Sequence, residues 1–338
     1  MRKIGLLPFT ILYGLITYSR NILFDVGILK STIIPGKSIS VGNLSVGGSG
    51  KTPMVNYLTS LLQSEYSIQI LSRGYGRKTS GYRQVTSADD ARTVGDEPMS
   101  YFQKFAPKTE VFVCEKREEA IVKMKETNPS STIILDDAFQ HRYVKPGLQL
   151  LLTPFHDQFL NDWHLPSGNL RESKAGAHRA DAIIVTKCPN LTEKEMEVHR
   201  KRYETYQKPV FFSSIEYAEL QLVGTPIPQI KSILLVTGIS STTSLVTHLQ
   251  EKHHLEELKF GDHHAFTLGD IQEIHRKFDT FASKEMAIVT TEKDLVKIEG
   301  LLTENDRQTF PWYVLPITVK MENEEAFNSM IKDYVRSN

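Results

Sequence analysis

Cysteine is almost absent: the 338-residue chain holds only Cys114 and Cys188. Two thiols this far apart exclude a disulfide-stapled secreted domain and a cysteine metal knuckle, and they fit a reducing compartment. An excess of one charge sign is missing too, since 40 Lys and Arg face 40 Asp and Glu. That balance gives no general ground for a nucleic-acid partner. The chain shows no internal repeat and no low-complexity tract. A clean membrane crossing is also missing. The uncharged stretch from Ile4 to Ser19 would reach about 24 Å as a helix, against about 30 Å of hydrocarbon.

What that stretch does instead is the first question. A charged start and an apolar run are two marks of a signal peptide, but no small-x-small cleavage site follows. Pro8 falls where a first helical turn tolerates it. Two readings stay open: a helix packed on the protein's own core, or a membrane-associated helix. Lys3, Arg20, Lys30 and Lys37 favour the second, because they could meet anionic headgroups.

The rest of the chain is long enough for about two domains. Continuous apolar runs at Ser38 to Asn43, Ile68 to Ser72, Val111 to Cys114, Thr132 to Leu135, Gln149 to Leu152 and Ala182 to Thr186 alternate with helix-like segments. Runs of this kind suit strands buried on both faces, as in a parallel sheet between helices. A charged, helix-like segment, Leu191 to Lys208, then leads to Val210 to Tyr217 and a stretch with Pro226 and Pro228, which reads as a linker. A second alternation follows, with strands at Ser232 to Val236, Lys259 to Phe260, Ala287 to Thr290 and Trp312 to Leu315. The expected architecture is a three-layer α/β/α core with a smaller C-terminal α/β domain and a hydrophobic N-terminal helix. The expected divisions are 1–30, core 31–208, linker 209–231 and second domain 232–338.

The strongest local signal is Ser45-Val46-Gly47-Gly48-Ser49-Gly50-Lys51-Thr52, between a strand-like and a helix-like segment. Backbone N–H groups of a glycine-rich loop and a helix N-terminus hold phosphate together. Lys51 can neutralise β- and γ-phosphate charge, and the Thr52 hydroxyl can ligate Mg²⁺. Ser45 stands where the first glycine is usual, and Val46 where a partitioning-type ATPase would carry lysine. A second element supports the first: the apolar Thr132 to Leu135 ends in Asp136 and Asp137, an arrangement that delivers carboxylates to Mg²⁺ or its waters. In Thr186-Lys187-Cys188-Pro189, proline replaces the Asp that would read guanine, so ATP is favoured over GTP.

With these elements in place, the sequence resembles the tetraacyldisaccharide 4′-kinase family of lipid A biosynthesis. The resemblance is carried by SVGNLSVGGSGKTP (40–53), LSRGYGR (71–77), VGDEP (94–98), DDAFQHR (136–142), LPSGNLRE (165–172), FGDHHAFT (260–267) and TTEKD (290–294), in order through nearly the whole chain. Departures are small, with Ala138 where glycine is frequent and Asn169 where proline is common. The resemblance implies an ATP- and Mg²⁺-dependent kinase. It would phosphorylate the 4′-hydroxyl of a lipid A disaccharide 1-phosphate at the cytoplasmic face of a Gram-negative-type inner membrane. It also implies a P-loop NTPase-like core joined to the smaller domain by a β-ribbon, and it agrees with a peripheral membrane dock through the N-terminal helix; neither nucleic acid nor an obligate protein partner is expected.

It assigns roles as well. Asp96 in VGDEP becomes the proton acceptor, where the pattern alone would read as a helix start. His263 becomes its helper from the second domain, with His264 as the alternative. Glu97 and Asp136 join Thr52 as metal candidates, with Asp137 as a further acid. Arg73, Arg77, Gln140, His141, Arg142, Arg171 and Glu172 are candidates for the cleft or the substrate, although an adjacent Arg-Glu pair also suits an exposed surface. A regulatory NTPase or metallochaperone is the rival class, and it lacks a use for VGDEP and GDHH. A soluble small-molecule kinase would have no need of the apolar N-terminus.

Overall fold

The apolar runs form strands because alternate residues of each meet different cores. In the computed structural model, which describes residues 5–239, 241–262, 264–281 and 285–337, Ile134 faces one hydrophobic cluster while Ile133 and Leu135 face another. Ile184 and Ile183 divide in the same way. The elements of the core are β1 (Ser38–Asn43), α2 (Lys51–Leu62), β2 (Ile68–Ser72), α3 (Asp96–Phe105), β3 (Thr109–Val113), α4 (Arg117–Thr127), β4 (Thr132–Asp136), β5 (Leu148–Pro154), β6 (Ala182–Thr186), α5 (Glu193–Lys201) and β7 (Val210–Tyr217), preceded by α1 (Leu7–Asp25). Among the described residues the larger sheet has nine strands, and β6, β5, β1, β4, β2 and β3 lie side by side and parallel within it. Helices α2 and α3 cover one face, α4 and α5 the other. This is the expected three-layer core.

The second domain comprises β8 (Ser232–Thr237), α6 (Thr243–Gln250), β9 (His254–Lys259), α7 (Leu268–Asp279), β10 (Met286–Thr291), α8 (Glu292–Ile298) and β11 (Trp312–Leu315). Strand β9 begins earlier than expected, because its alternating sequence HLEELK forms a half-exposed edge rather than a continuous apolar run.

The chain then returns to the core, so residues 317–336, expected within the second domain at 232–338, pack with the larger sheet, as does Val210–Tyr217, expected in the linker. Strand β12 (Ile317–Met321) pairs antiparallel with β7, and β7 pairs parallel with β6. Helix α9 (Glu324–Arg336) sets Phe327, Ile331 and Val335 into the core beneath α2 and α3. Tyr334 seals the join, its hydroxyl donating to Ser38 O at 3.0 Å and accepting from Ser38 N–H at 3.0 Å. The β7–β12 ribbon is therefore part of the large sheet and also the bridge between domains, continued by Ala218 N–H to Pro316 O at 3.0 Å.

A buried histidine contributes to the second domain's response to acid. His275 on α7 is 8% exposed, stacks on Phe310 with ring centroids 3.6 Å apart, and accepts from Trp312 Nε1 at 3.1 Å through Nε2. Burial holds its pKa below the ordinary 6.5, with Asp306 and Asp279 offsetting only part of that. Below that ordinary value the unfolded chain takes up a proton that the native imidazole resists, so native stability falls with pH. Urea unfolding from about pH 7.5 to about pH 5.5 should show the second domain's midpoint falling, and His275→Gln should flatten the trend. Identical pH trends in the two proteins would contradict this.

Candidate active site

The glycine-rich loop sits between β1 and α2, where Gly47 (φ +105°) and Gly50 (φ +85°) adopt backbone that side chains resist. A distant segment holds the loop in place. Val46 N–H donates to Asn169 O at 2.8 Å, Arg171 N–H donates to Leu44 O at 2.8 Å, and Ser45 bridges Leu170. From the other side, Thr186 Oγ1 donates to Ser49 O at 2.9 Å. The segment LPSGNLRE thus acts first as a support for the loop.

Lys51 opens α2 and extends its ammonium towards the end of β4. Its Nζ lies 3.7 Å from Asp137 Oδ1 and 3.4 Å from Asn43 Oδ1. Asp137 takes φ +46°, which turns its carboxylate into a two-pronged contact with Arg171, at 2.8 Å and 3.0 Å. Burial alone would raise the Asp137 pKa, but Lys51 and Arg171 outweigh it and hold the carboxyl below its ordinary range. Arg171 also donates to Asn43 O at 3.0 Å and touches Asn43 Oδ1. Asp137 is thereby committed to cations on two sides, and Arg171 is a partner of the loop more than an open hand for substrate.

Asp136 behaves oppositely. It is 5% exposed, accepts from Ser72 Oγ at 3.1 Å through Oδ2, and leaves Oδ1 buried without a hydrogen bond. Burial, then Asp137 and Glu97, push its pKa up to about 7. Carboxylates this close repel one another, and a cation among them would relieve both the repulsion and the orphaned oxygen. Among the described residues no group of three His, Cys, Asp or Glu could hold a metal ion unaided. Mg²⁺ asks for less, one or two carboxylates with phosphate oxygens and waters, so Thr52, Asp136 and Glu97 fit it while Asp137 is already engaged.

Glu97 and Asp96 occupy the first turn of α3, where the helix dipole favours acids. Gly95 (φ +99°) precedes them, and a Cβ there would stand 3.1 Å from Gly74 Cα, so VGDEP and LSRGYGR are pressed together. Two cations of the second domain face this turn: Lys297 Nζ is 3.7 Å from Asp96 Oδ2, and Lys293 Nζ is 4.0 Å from Glu97 Oε1. His263 lies outside the described residues. His264 is occupied elsewhere, with Nε2 3.1 Å from Asp270 Oδ2 and its ring beside Phe260 and Phe266.

Several expected substrate residues have structural partners instead. Arg77 pairs with Glu115 at 2.6 Å and donates to Gly81 O at 2.7 Å. Glu172 is 3% exposed and receives Arg179, Asn21 and Gln140. Gln140 also donates to Asn43 O at 2.8 Å. His141 sits 3.1 Å from Glu118, and burial lowers its pKa. Arg142 holds α1 through Asn21 O and Asp25. Arg73 stays exposed. Residues that the sequence did not mark take part as well. Arg117, 2% exposed, donates to Cys114 O at 2.6 Å and to Asp136 O at 3.4 Å, and burial lowers its pKa to about 10. Tyr101 on α3 is fully buried with its hydroxyl beside Asp136 and Thr52, and burial keeps it protonated well above its ordinary range.

Helix α1 docks beside this site with its polar side inward. Thr10 bonds Ser167 at 2.6 Å, Tyr13 donates to Arg171 O at 2.9 Å, Arg20 donates to Gln140 O at 3.3 Å, and Asn21 donates to Glu172 at 2.8 Å. Its outward face carries Phe9, Ile11, Leu12, Leu15 and Ile16, each more than half exposed. Polar contacts, with Phe24 buried against Tyr143 at its far end, hold it rather than a continuous apolar face. No helix among the described residues is long and apolar enough to cross a membrane.

Comparison with known proteins adds to this geometry. The family model described as tetraacyldisaccharide-1-P 4′-kinase matches residues 2–336. A tetraacyldisaccharide 4′-kinase of Flavobacterium psychrophilum is 41% identical, covering 98% of this chain and 96% of the relative. One of Bacteroides thetaiotaomicron is 39% identical, covering 98% and 93%. The crystal structure of the LpxK protein of Aquifex aeolicus in complex with ATP is similar in fold, with a TM-score of 0.76 and 31% identity, covering 99% of this chain and 100% of that one.

Proposed function

The chain belongs to the tetraacyldisaccharide-1-P 4′-kinase family, and from that premise we propose how its residues serve the family's reaction. The activity is ATP-dependent phosphorylation of the 4′-hydroxyl of tetraacyldisaccharide 1-phosphate, a step of lipid A synthesis. Its relatives are bacterial, which sets it in a Gram-negative-type pathway.

The observation that carries the proposal is Lys51, at the start of α2, reaching to 3.7 Å from the acidic end of β4. The loop from Ser45 to Thr52 cradles the triphosphate with its backbone N–H groups. Lys51 leaves Asp137 for the β- and γ-phosphates, and Arg171 keeps Asp137 paired as it does so. Thr52, Asp136 and Glu97 would hold Mg²⁺, which when bound neutralises charge on the phosphate oxygens. Asp96 takes the proton of the 4′-hydroxyl. The freed oxygen bonds to the γ-phosphorus while the bond to the β–γ bridging oxygen breaks, and ADP leaves. His263 assists Asp96 from the second domain.

We assign the apolar outer face of α1 to the cytoplasmic surface of the inner membrane. A helix tied down by its polar face and open on its apolar face lies in an interface rather than across it. Transfer to acceptor lipid carried in anionic phospholipid vesicles tests both assignments. It should stop when EDTA removes Mg²⁺. Ile11→Glu with Leu15→Glu should cut vesicle turnover by about tenfold or more, from the lost burial of two apolar side chains, and keep turnover on detergent-dispersed acceptor. Full turnover in EDTA contradicts the metal site, and unchanged vesicle turnover contradicts the dock.

A further inference from the structure

The two domains touch along α3 and α8, and the contacts there are unequal. Lys104 meets Glu292 at 3.0 Å, Gln103 donates to Glu299 at 3.1 Å, and Lys293 stands 4.0 Å from Glu97. All of these keep contact with water, where an ion pair contributes about 0–1 kcal/mol. Lys297 differs: its side chain is 7% exposed, and its ammonium lies 5.5 Å from the centroid of the Phe266 ring.

An ammonium sealed this way needs a fixed counter-charge. Asp294 supplies it from the same helix. It is fully buried, and its Oδ2 accepts from Gly238 N–H at 2.9 Å and from Thr291 Oγ1 at 2.9 Å. Oδ1 is thereby turned to Lys297 Nζ at 3.2 Å. Gly238 leaves the carboxylate its place, since a Cβ there would stand 3.1 Å from Oδ1 and 3.4 Å from Gly261 O and His264 Cβ. Gly261 and His264 thus border Gly238 on its other side. Lys297 is anchored to the second domain, and the second carboxylate it reaches is Asp96, across the domain boundary at 3.7 Å.

We infer that Lys297 is a positioning residue for phosphoryl transfer, carried on the second domain to hold the Asp96 carboxylate in place; the inference rests on Asp96 acting as the base. One ammonium is shared between a structural anion and a reacting one. When the domains stand together, the base is fixed in direction. When they part, Lys297 leaves with Asp294 and the base loses its guide, so readiness for chemistry is tied to the domain arrangement.

A double-mutant cycle on the full-length protein tests this, with kcat and both KM values measured for wild type, Lys297→Met, Asp96→Asn and the double variant. Lys297→Met should lower kcat about 10- to 100-fold, the scale of an ångström-level misplacement, with both KM values within about threefold. Lys297→Arg should recover most of the loss. In the Asp96→Asn background the lysine change should alter kcat by less than about threefold, because its target is already gone. Equal losses in both backgrounds, or an unchanged kcat for Lys297→Met, overturn the inference while leaving Asp96 as base. An unimpaired Asp96→Asn protein removes the base assignment, and the inference with it. Should the methionine variant unfold, Lys297→Gln, which can still bond Asp294, carries the same cycle.

Discussion

Asp96→Asn is expected to lower turnover by about 10²- to 10⁴-fold while leaving the apparent affinities for ATP and lipid near their original values. The change keeps the size and shape of the side chain and removes its negative charge and, with it, the capacity to take a proton. The first turn of α3 would feel little, since the lost attraction between an acid and the helix N-terminus amounts to about 0.3–1 kcal/mol. Glu97 remains beside it with its own contact to Lys293. Lys297 would keep Asp294 at 3.2 Å, so the second domain retains its anchor. A loss confined to kcat therefore reports chemistry and not folding or binding. A protein that turns over normally with Asn at this position would remove Asp96 from the mechanism.

The second large effect belongs to Lys51. Lys51→Met should cost about 10²- to 10³-fold in kcat/KM, since the ammonium's interaction with the phosphates grows as charge shifts to the β–γ bridging oxygen. The loop itself should survive, because its shape comes from Gly47, Gly50, the contacts to Asn169 and Leu170, and Thr186. Asp137 would keep Arg171. Lys51→Arg should restore little, because a planar guanidinium does not replace a point charge in a loop closed around phosphate. Unfolding midpoints near that of wild type, together with the loss in rate, would show a local cause. Wild-type kcat/KM for Lys51→Met would contradict the loop's assigned role.

Much of the core was legible because its signals are local. Ser38 to Asn43 and Ala182 to Thr186 carry no charge and are buried at every position, and burial on both faces is what such runs describe. The loop and the acidic pair declared themselves through glycines at positive φ and carboxylates at a strand's end. The return of the chain to the large sheet was not legible. Ile317 to Met321 alternates exposed and buried residues as an edge strand does, and its partner β7 lies about a hundred residues earlier. The resemblance offers Arg77 and Glu172 as groups for a substrate, and their long-range partners cannot be read from the sequence. Glu115 and Arg179 neutralise them only once the chain is folded. Lys297 was hidden for the converse reason: KDLVKIEG reads as a solvated helix face, whereas packing α8 on α3 removes its ammonium from water. Helix α1 shows the same inversion on a larger scale, with the polar face spent on the protein and the apolar face left outside.

The most direct test of the whole account is transfer of label from γ-labelled ATP to tetraacyldisaccharide 1-phosphate by the purified full-length chain with Mg²⁺. The account predicts a lipid bisphosphate carrying the label at the 4′ position, formed in step with ADP and lost in the Asp96→Asn protein. ADP produced while the lipid stays unlabelled, from a folded chain that binds ATP, would contradict it.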